Sequence, residues 1–195
     1  MTKLNIGSGR KRIEGYTNVD ARPWEGYTHI VWDLTKTPYT FTKQDSVDEI
    51  LAVEFLEHLS FRDTHNVLKE WNRILKVDGK VTIQVPDCGS MMEMYVNKEV
   101  CDCVEHKQVP HDYEEPPNPN FGKGKKECWN CSGKGKVNPT RWMMAFNGAQ
   151  KHPYDNHLNI FTKESMKDSL EKAGFNNVEV TNDKFKWKII AKATK

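Results

Sequence analysis

The first chemical signal in this 195-residue chain is a glycine turn followed by three strand-tip acids. Gly7-Ser8-Gly9 follows the short run Lys3-Leu4-Asn5-Ile6, and Asp20, Asp33 and Glu54 each stand just past a short apolar or β-branched run. Glycine lets the backbone approach a ligand closely, and a carboxylate ending a strand can accept both hydroxyls of a ribose. A lone Gly-x-Gly occurs in many tight turns, and acids at strand ends can serve only as caps and solubilising groups. The ordered series of glycine turn, Asp20, Asp33 and Glu54 favours a nucleotide-like ligand over that plainer reading. Position 12 is Arg where a pyrophosphate loop of the G-x-G-x-x-G kind has its third glycine. The connection is also too short for the full helix such a loop opens. A phosphate-free nucleoside ligand needs neither.

A second constellation is Cys101-x-Cys103, then 24 intervening residues, then Cys128-Trp129-Asn130-Cys131. Two close cysteine pairs on separate turns can supply four thiolates to a tetrahedral zinc ion, and four protein ligands make such a site structural. The second pair continues as Cys131-Ser132-Gly133-Lys134-Gly135, a C-x-x-C-x-G-x-G knuckle similar to half of a DnaJ-type zinc repeat. The first pair has one intervening residue and no glycines, and His106 or His111 can substitute for one of its members. Free or buried thiols in a loose insert are the plainer alternative. The fifth cysteine, Cys88, reads as structural. An odd, clustered set suits a metal in a reducing compartment better than a secreted disulfide framework.

The elements that must position these residues follow from periodicity. Residues 3–6, 16–20, 28–32, 47–53 and 80–85 read as strands, the last stopping at Pro86. Between the fourth and fifth lies an amphipathic helix over 62–75, with Val67, Leu68, Trp71, Ile74 and Leu75 on one face and Val77-Asp78-Gly79 as its closing turn. Crossovers after the first and second strands are only about ten and seven residues long, too short for full helices. Thr162 with Ser165 three residues on marks the N-terminus of a helix running to Ala173. Residues 177–181 and 185–192 read as an antiparallel hairpin joined by Asn182-Asp183-Lys184. The fold class is therefore α/β, a mostly parallel Rossmann-like sheet ending in an antiparallel hairpin. Residues 1–195 read as a single domain carrying a Cys-rich insertion over 87–145, where prolines 110, 116, 117, 119 and 139 and all five cysteines collect.

The motifs in their order resemble class I S-adenosylmethionine-dependent methyltransferases, nearest the small "methyltransferase type 11-like" group. Leu4-Asn5-Ile6-Gly7-Ser8-Gly9, Gly15-Tyr16-Thr17-Asn18-Val19-Asp20, Asp33-Leu34, Leu56-Glu57-His58-Leu59, Glu70-Trp71-Asn72-Arg73-Ile74-Leu75-Lys76, Val85-Pro86-Asp87 and Ala173-Gly174-Phe175 carry the likeness. It covers about two thirds of the chain. The resemblance implies that Gly7, Ser8 and Gly9 back the methionine and ribose parts of S-adenosylmethionine and that Asp20 binds the ribose hydroxyls. Asp33 and Leu34 would flank the adenine, and Glu54 would face the methyl-donor side. Asn5 stands where many members have an acid facing the cofactor's ammonium. Methyl transfer from a sulfonium is largely positioning and desolvation. A base is needed only where the acceptor must lose a proton. His58 and His157 are the candidates for that catalytic role; the plainer reading of His58 is a capping or packing residue. Zinc in the insert would be a second, structural cofactor.

Composition narrows the partners. Lys plus Arg is 29 and Asp plus Glu 27, a formal net charge of +2, which excludes a polybasic coat. No apolar run reaches the roughly 18–20 residues of a membrane span, and the N-terminus lacks an apolar signal segment; a cytoplasmic enzyme is expected. The acceptor class is a small molecule, a sugar-linked compound or a nucleotide derivative. Residues 121–142 interleave Phe121, Trp129 and Trp142 with Lys123, Lys125, Lys126, Lys134, Lys136 and Arg141, a pattern that suits nucleic acid as well as plain solubility. The alternative reading is a non-catalytic scaffold whose zinc knuckle binds nucleic acid or protein. A nicotinamide-dependent oxidoreductase is a third, opposed by Arg12.

Overall fold

The computed structural model describes residues 1–97, 146–183 and 187–195. Seven strands form one sheet: β1 (Lys3–Ile6), β2 (Thr17–Asp20), β3 (Ile30–Val31), β4 (Val47–Val53), β5 (Leu75–Pro86), β6 (Asn176–Asp183) and β7 (Lys188–Thr194). Their spatial order is β3-β2-β1-β4-β5-β7-β6. The pairs among β1 to β5 are parallel, and β7 runs antiparallel between β5 and β6. The direction of strand addition reverses between β1 and β4. That places the crevice for a ligand beyond their carboxyl ends.

The first half carries no α-helix before α1 (Phe61–Ile74) among the described residues, as its short crossovers require. Buried Leu4, Ile6, Val19, Val47 and Ile50 supply the sheet side of the core. Ser60 caps α1, accepting from the Asp63 N–H at 3.1 Å. Val67, Leu68, Trp71 and Ile74 form its fully buried stripe. The helix stops at Ile74 because Leu75 turns extended and pairs with Val47. The expected closing turn at Val77-Asp78-Gly79 is instead an irregularity within β5, with Asp78 at φ +60° and register regained at Glu49 opposite Lys80. The Lys195 ammonium covers the end of α1, donating to the Leu75 carbonyl at 2.9 Å and the Arg73 carbonyl at 3.2 Å.

After β5, α2 (Cys88–Asn97) opens the stretch expected as an insertion. Asp87, buried, caps it by accepting from the Ser90 N–H at 3.1 Å and the Ser90 hydroxyl at 2.6 Å. Cys88 and Met91 are buried, so this part of the stretch belongs to the core. α3 (Lys163–Lys172) has the capping box predicted from Thr162 and Ser165 and ends at Gly174. It packs on β6 and β7 through Met166 and Leu170. β6 runs on through Asn182 and Asp183, which the sequence reading placed in the hairpin turn. Among the described residues no helix is long and apolar enough to cross a membrane.

Candidate active site

The glycine turn leaves β1 with Gly7 and Gly9 both in the left-handed region, φ +65° and +53°, where a side chain is strained. They differ in surroundings. A Cβ on Gly7 would run into the Phe55 ring, whereas one on Gly9 would meet nothing within 4 Å. The Gly9 N–H donates to Oδ2 of Asp20 at 2.8 Å, and the Arg22 N–H donates to Oδ1 at 2.9 Å. The strand-tip carboxylate is thus held in place by the backbone beside it. Ser8 is buried, and its hydroxyl has no hydrogen-bond partner among the described residues. Asn5, also buried, donates to Oδ1 of Asn18 at 3.0 Å and braces β1 against β2. Asp33 is exposed at the end of the β3 segment, its Oδ1 accepting from the Thr35 hydroxyl at 2.7 Å. Leu34 beside it is core, and its carbonyl accepts from the Tyr39 hydroxyl at 2.9 Å.

Glu54 ends β4 with φ +55°, an uncommon backbone for a residue with a side chain. Its carboxylate pairs with the Lys188 ammonium at 2.6 Å. A single 3-10 turn, Leu56–His58, follows. It delivers Glu57 inward and His58 beside His157, their rings 5.0 Å apart and edge to face. His58 Nδ1 lies 3.1 Å from the Asn156 carbonyl. The Leu158 and Asn159 N–H groups both donate to the Glu57 carbonyl, at 2.8 and 3.1 Å. These bonds clamp the 156–159 segment onto the turn after β4, at the same end of the sheet as the glycine turn. Burial lowers the His58 pKa, against a raising effect of the Asn156 carbonyl, and keeps the ring neutral near pH 7.

Glu57 is 1% exposed, and neither carboxylate oxygen has a hydrogen-bond partner among the described residues. Desolvation, then the charge of Glu54, holds its pKa well above the usual carboxylate range. It lines a narrow crevice with Pro86, Cys88, His157, Asn159 and Phe161. Burial pushes the Cys88 thiol up to about 11, an inert, protonated packing group as its sequence position suggested.

The structure therefore brings together Gly7, Ser8, Gly9 and Asp20 in one cluster, and His58 and His157 in another. Glu57 is the residue the sequence reading passed over. Its signal was present in the five-residue span Glu54-Phe55-Leu56-Glu57-His58, three ionisable groups directly after a strand. Cys101, Cys103, Cys128 and Cys131, and with them the zinc knuckle and the basic, aromatic 121–142 stretch, lie outside the described residues.

A family described as "Methyltransferase domain" matches residues 9–180. The chain belongs to the methyltransferase domain family. Solved structures of methyltransferases share its fold at low identity. One is an S-adenosylmethionine-dependent methyltransferase from Archaeoglobus fulgidus, with TM-score 0.56 and 14% identity over 100% of this chain and 86% of that one. Another is the 1,6-didemethyltoxoflavin-N1-methyltransferase of Burkholderia thailandensis, solved with 1,6-didemethyltoxoflavin and S-adenosylhomocysteine. Its TM-score is 0.55 at 14% identity, over 100% of this chain and 70% of that one. A chain from Bordetella parapertussis aligns with TM-score 0.52 and 11% identity over 100% of this methyltransferase domain, which spans 61% of its length. A comparison with curated proteins finds no match.

Proposed function

We propose that this methyltransferase domain transfers the methyl group of S-adenosylmethionine to a small-molecule, sugar-linked or nucleotide-like acceptor. The observation that carries the reading is the Gly9 N–H to Asp20 bond, which fixes a carboxylate and an open glycine backbone side by side at neighbouring strand tips. The site suits an adenosine. Each Asp20 oxygen has a lone pair beyond its backbone bond for a ribose hydroxyl, and the buried Ser8 hydroxyl lacks a partner among the described residues. In this reading Asp33, exposed after β3, is the carboxylate that accepts from the exocyclic amine. Buried Leu34 anchors that loop, and Asn5 holds the turn from beneath. S-adenosylmethionine supplies a sulfonium-bound methyl with a good leaving group. With the cofactor bound, Glu54 would face its methyl-donor side, and the protein's part would be to orient the acceptor and exclude water. Where the acceptor must lose a proton, His58 or His157 is the group at hand.

Isothermal titration with S-adenosylhomocysteine tests the proposal. The wild-type chain should bind, and Asp20→Ala should weaken binding about 10–100-fold, the equivalent of about 1.5–3 kcal/mol for hydrogen bonds to a charged group. No heat of binding at millimolar ligand, or an unchanged affinity in Asp20→Ala, would defeat it.

A further inference from the structure

We infer that Glu57, His58 and His157 form a binding site for a divalent first-row transition-metal ion. One carboxylate oxygen and one ring nitrogen from each histidine lie within 4.8 Å of one another. An ion bonded at about 2.0–2.2 Å to such ligands sets them roughly 3–4 Å apart, so small side-chain rotations complete the site. Two imidazoles with a carboxylate suit zinc, cobalt, iron or manganese, whereas magnesium and calcium favour all-oxygen shells.

Three observations converge on an ion. A buried carboxyl with both oxygens unpartnered costs several kcal/mol unless something pairs with it; neither Glu57 oxygen has a hydrogen-bond partner among the described residues, and the charges of Lys188 and Lys11 offset its burial only in part. Protonating it would still leave a buried O–H to satisfy; a divalent cation satisfies the carboxylate outright. The His58 Nδ1 contact with the Asn156 carbonyl fixes the tautomer with hydrogen on Nδ1, so Nε2 presents its lone pair. That is how a metal-ligating histidine is commonly oriented by its outer partner. The two hydrogen bonds donated by the Leu158 and Asn159 N–H groups to the Glu57 carbonyl tie the segment bearing His157 to the one bearing Glu57 and His58. The three ligands are therefore preorganised across a sequence gap of about 100 residues.

Three protein ligands leave coordination positions open. On the methyl-transfer reading, on which only this use depends, an oxygen or nitrogen of the acceptor would occupy one of them, and the ring nitrogens would be ligands rather than free bases. Metal binding itself does not depend on that reading.

The test uses the full chain, stripped with a chelator and titrated with cobalt(II) chloride in the absence of any nucleoside. Visible absorption and titration calorimetry should report one ion with nitrogen and oxygen ligation, still bound in Cys128→Ser/Cys131→Ser. His157→Ala and Glu57→Gln should each weaken it about 10–100-fold, at the least the loss seen for outer-shell partners. Cobalt should raise the thermal midpoint of wild type and not of His157→Ala. Should Glu57→Gln fail to fold, His157→Ala decides alone. Binding only with sulfur-ligand absorption, wild-type affinity in His157→Ala, or no binding below about 1 mM overturns the site. S-adenosylhomocysteine binding, measured in parallel, shows whether the methyl-transfer reading stands regardless.

Discussion

Replacing Gly7 and Gly9 by alanine, one at a time, separates what the turn does for folding from what it does for binding. A Cβ on Gly7 would lie 2.5 Å from Cγ and 2.7 Å from Cβ of Phe55, where carbon atoms normally settle about 3.5–4.0 Å apart. Phe55 cannot retreat freely, because its ring stacks on Trp71 at 6.2 Å. A left-handed backbone costs a residue with a side chain about 1–2 kcal/mol, and overpacking adds about 1–3 kcal/mol. Gly7→Ala should therefore lose about 2–5 kcal/mol, a large part of the roughly 5–15 kcal/mol that holds a domain folded. Gly9→Ala pays only the backbone part, about 1–2 kcal/mol, but places a methyl in the open space beside Asp20. Urea denaturation reads the stability, and calorimetry with S-adenosylhomocysteine reads the binding. Gly9→Ala should bind markedly less while losing no more than about 1–2 kcal/mol of stability. Equal destabilisation of the two variants, or full binding by Gly9→Ala, would refute the division of labour.

Other perturbations have definite outcomes. With metal removed, the raised Glu57 pKa means that the folded chain holds a proton the unfolded chain releases. This contribution is present below the unfolded carboxylate pKa and fades as pH rises through the folded value. Glu57→Gln should then gain thermal stability over wild type as pH climbs, with Glu54, Lys188, Lys11 and the two histidines unchanged; parallel profiles would contradict this. Asp87→Ala removes the α2 cap and should cost about 1–2 kcal/mol in urea denaturation, with Asp87→Asn retaining most of it. Arg73 donates to both oxygens of buried Glu70, at 2.6 and 2.8 Å, while Tyr39 N–H donates to Oε1 at 2.6 Å. Arg73→Met leaves that carboxylate short of a counter-charge, and since Arg73 is one third exposed the cost should be about 1–3 kcal/mol. The double variant Arg73→Met/Glu70→Gln should recover part of it in the same assay.

Much of the sheet was legible because alternation of buried residues at Leu4, Ile6, Ile50 and Ala52 is a local signal. The helix over 61–74 followed from a one-sided stripe, and α3 from its Thr162 and Ser165 cap. The start of β5 was not legible, since Leu75 is drawn into the sheet by Val47, a partner nearly thirty residues away. Ser60, one residue before α1, was a readable cap that the apolar stripe overshadowed. At the site, the glycines and Asp20 announce themselves by type and order. Glu57 does not: a glutamate next to a histidine resembles any polar helix entry, and only the packing of residues 156–159 shows that it faces inward. Long-range burial of a charged group has no local sequence signature.

β7, the strand nearest the C-terminus, fills the place between β5 and β6 in the sheet, so those two meet only through it. A version cut before Lys188 would strip both neighbours of their backbone partners at once. It would leave a long apolar flank, with Val81, Ile83 and Val85 in it, as a template for other chains. Removing residues 188–195 should therefore yield insoluble aggregates rather than a merely less stable domain.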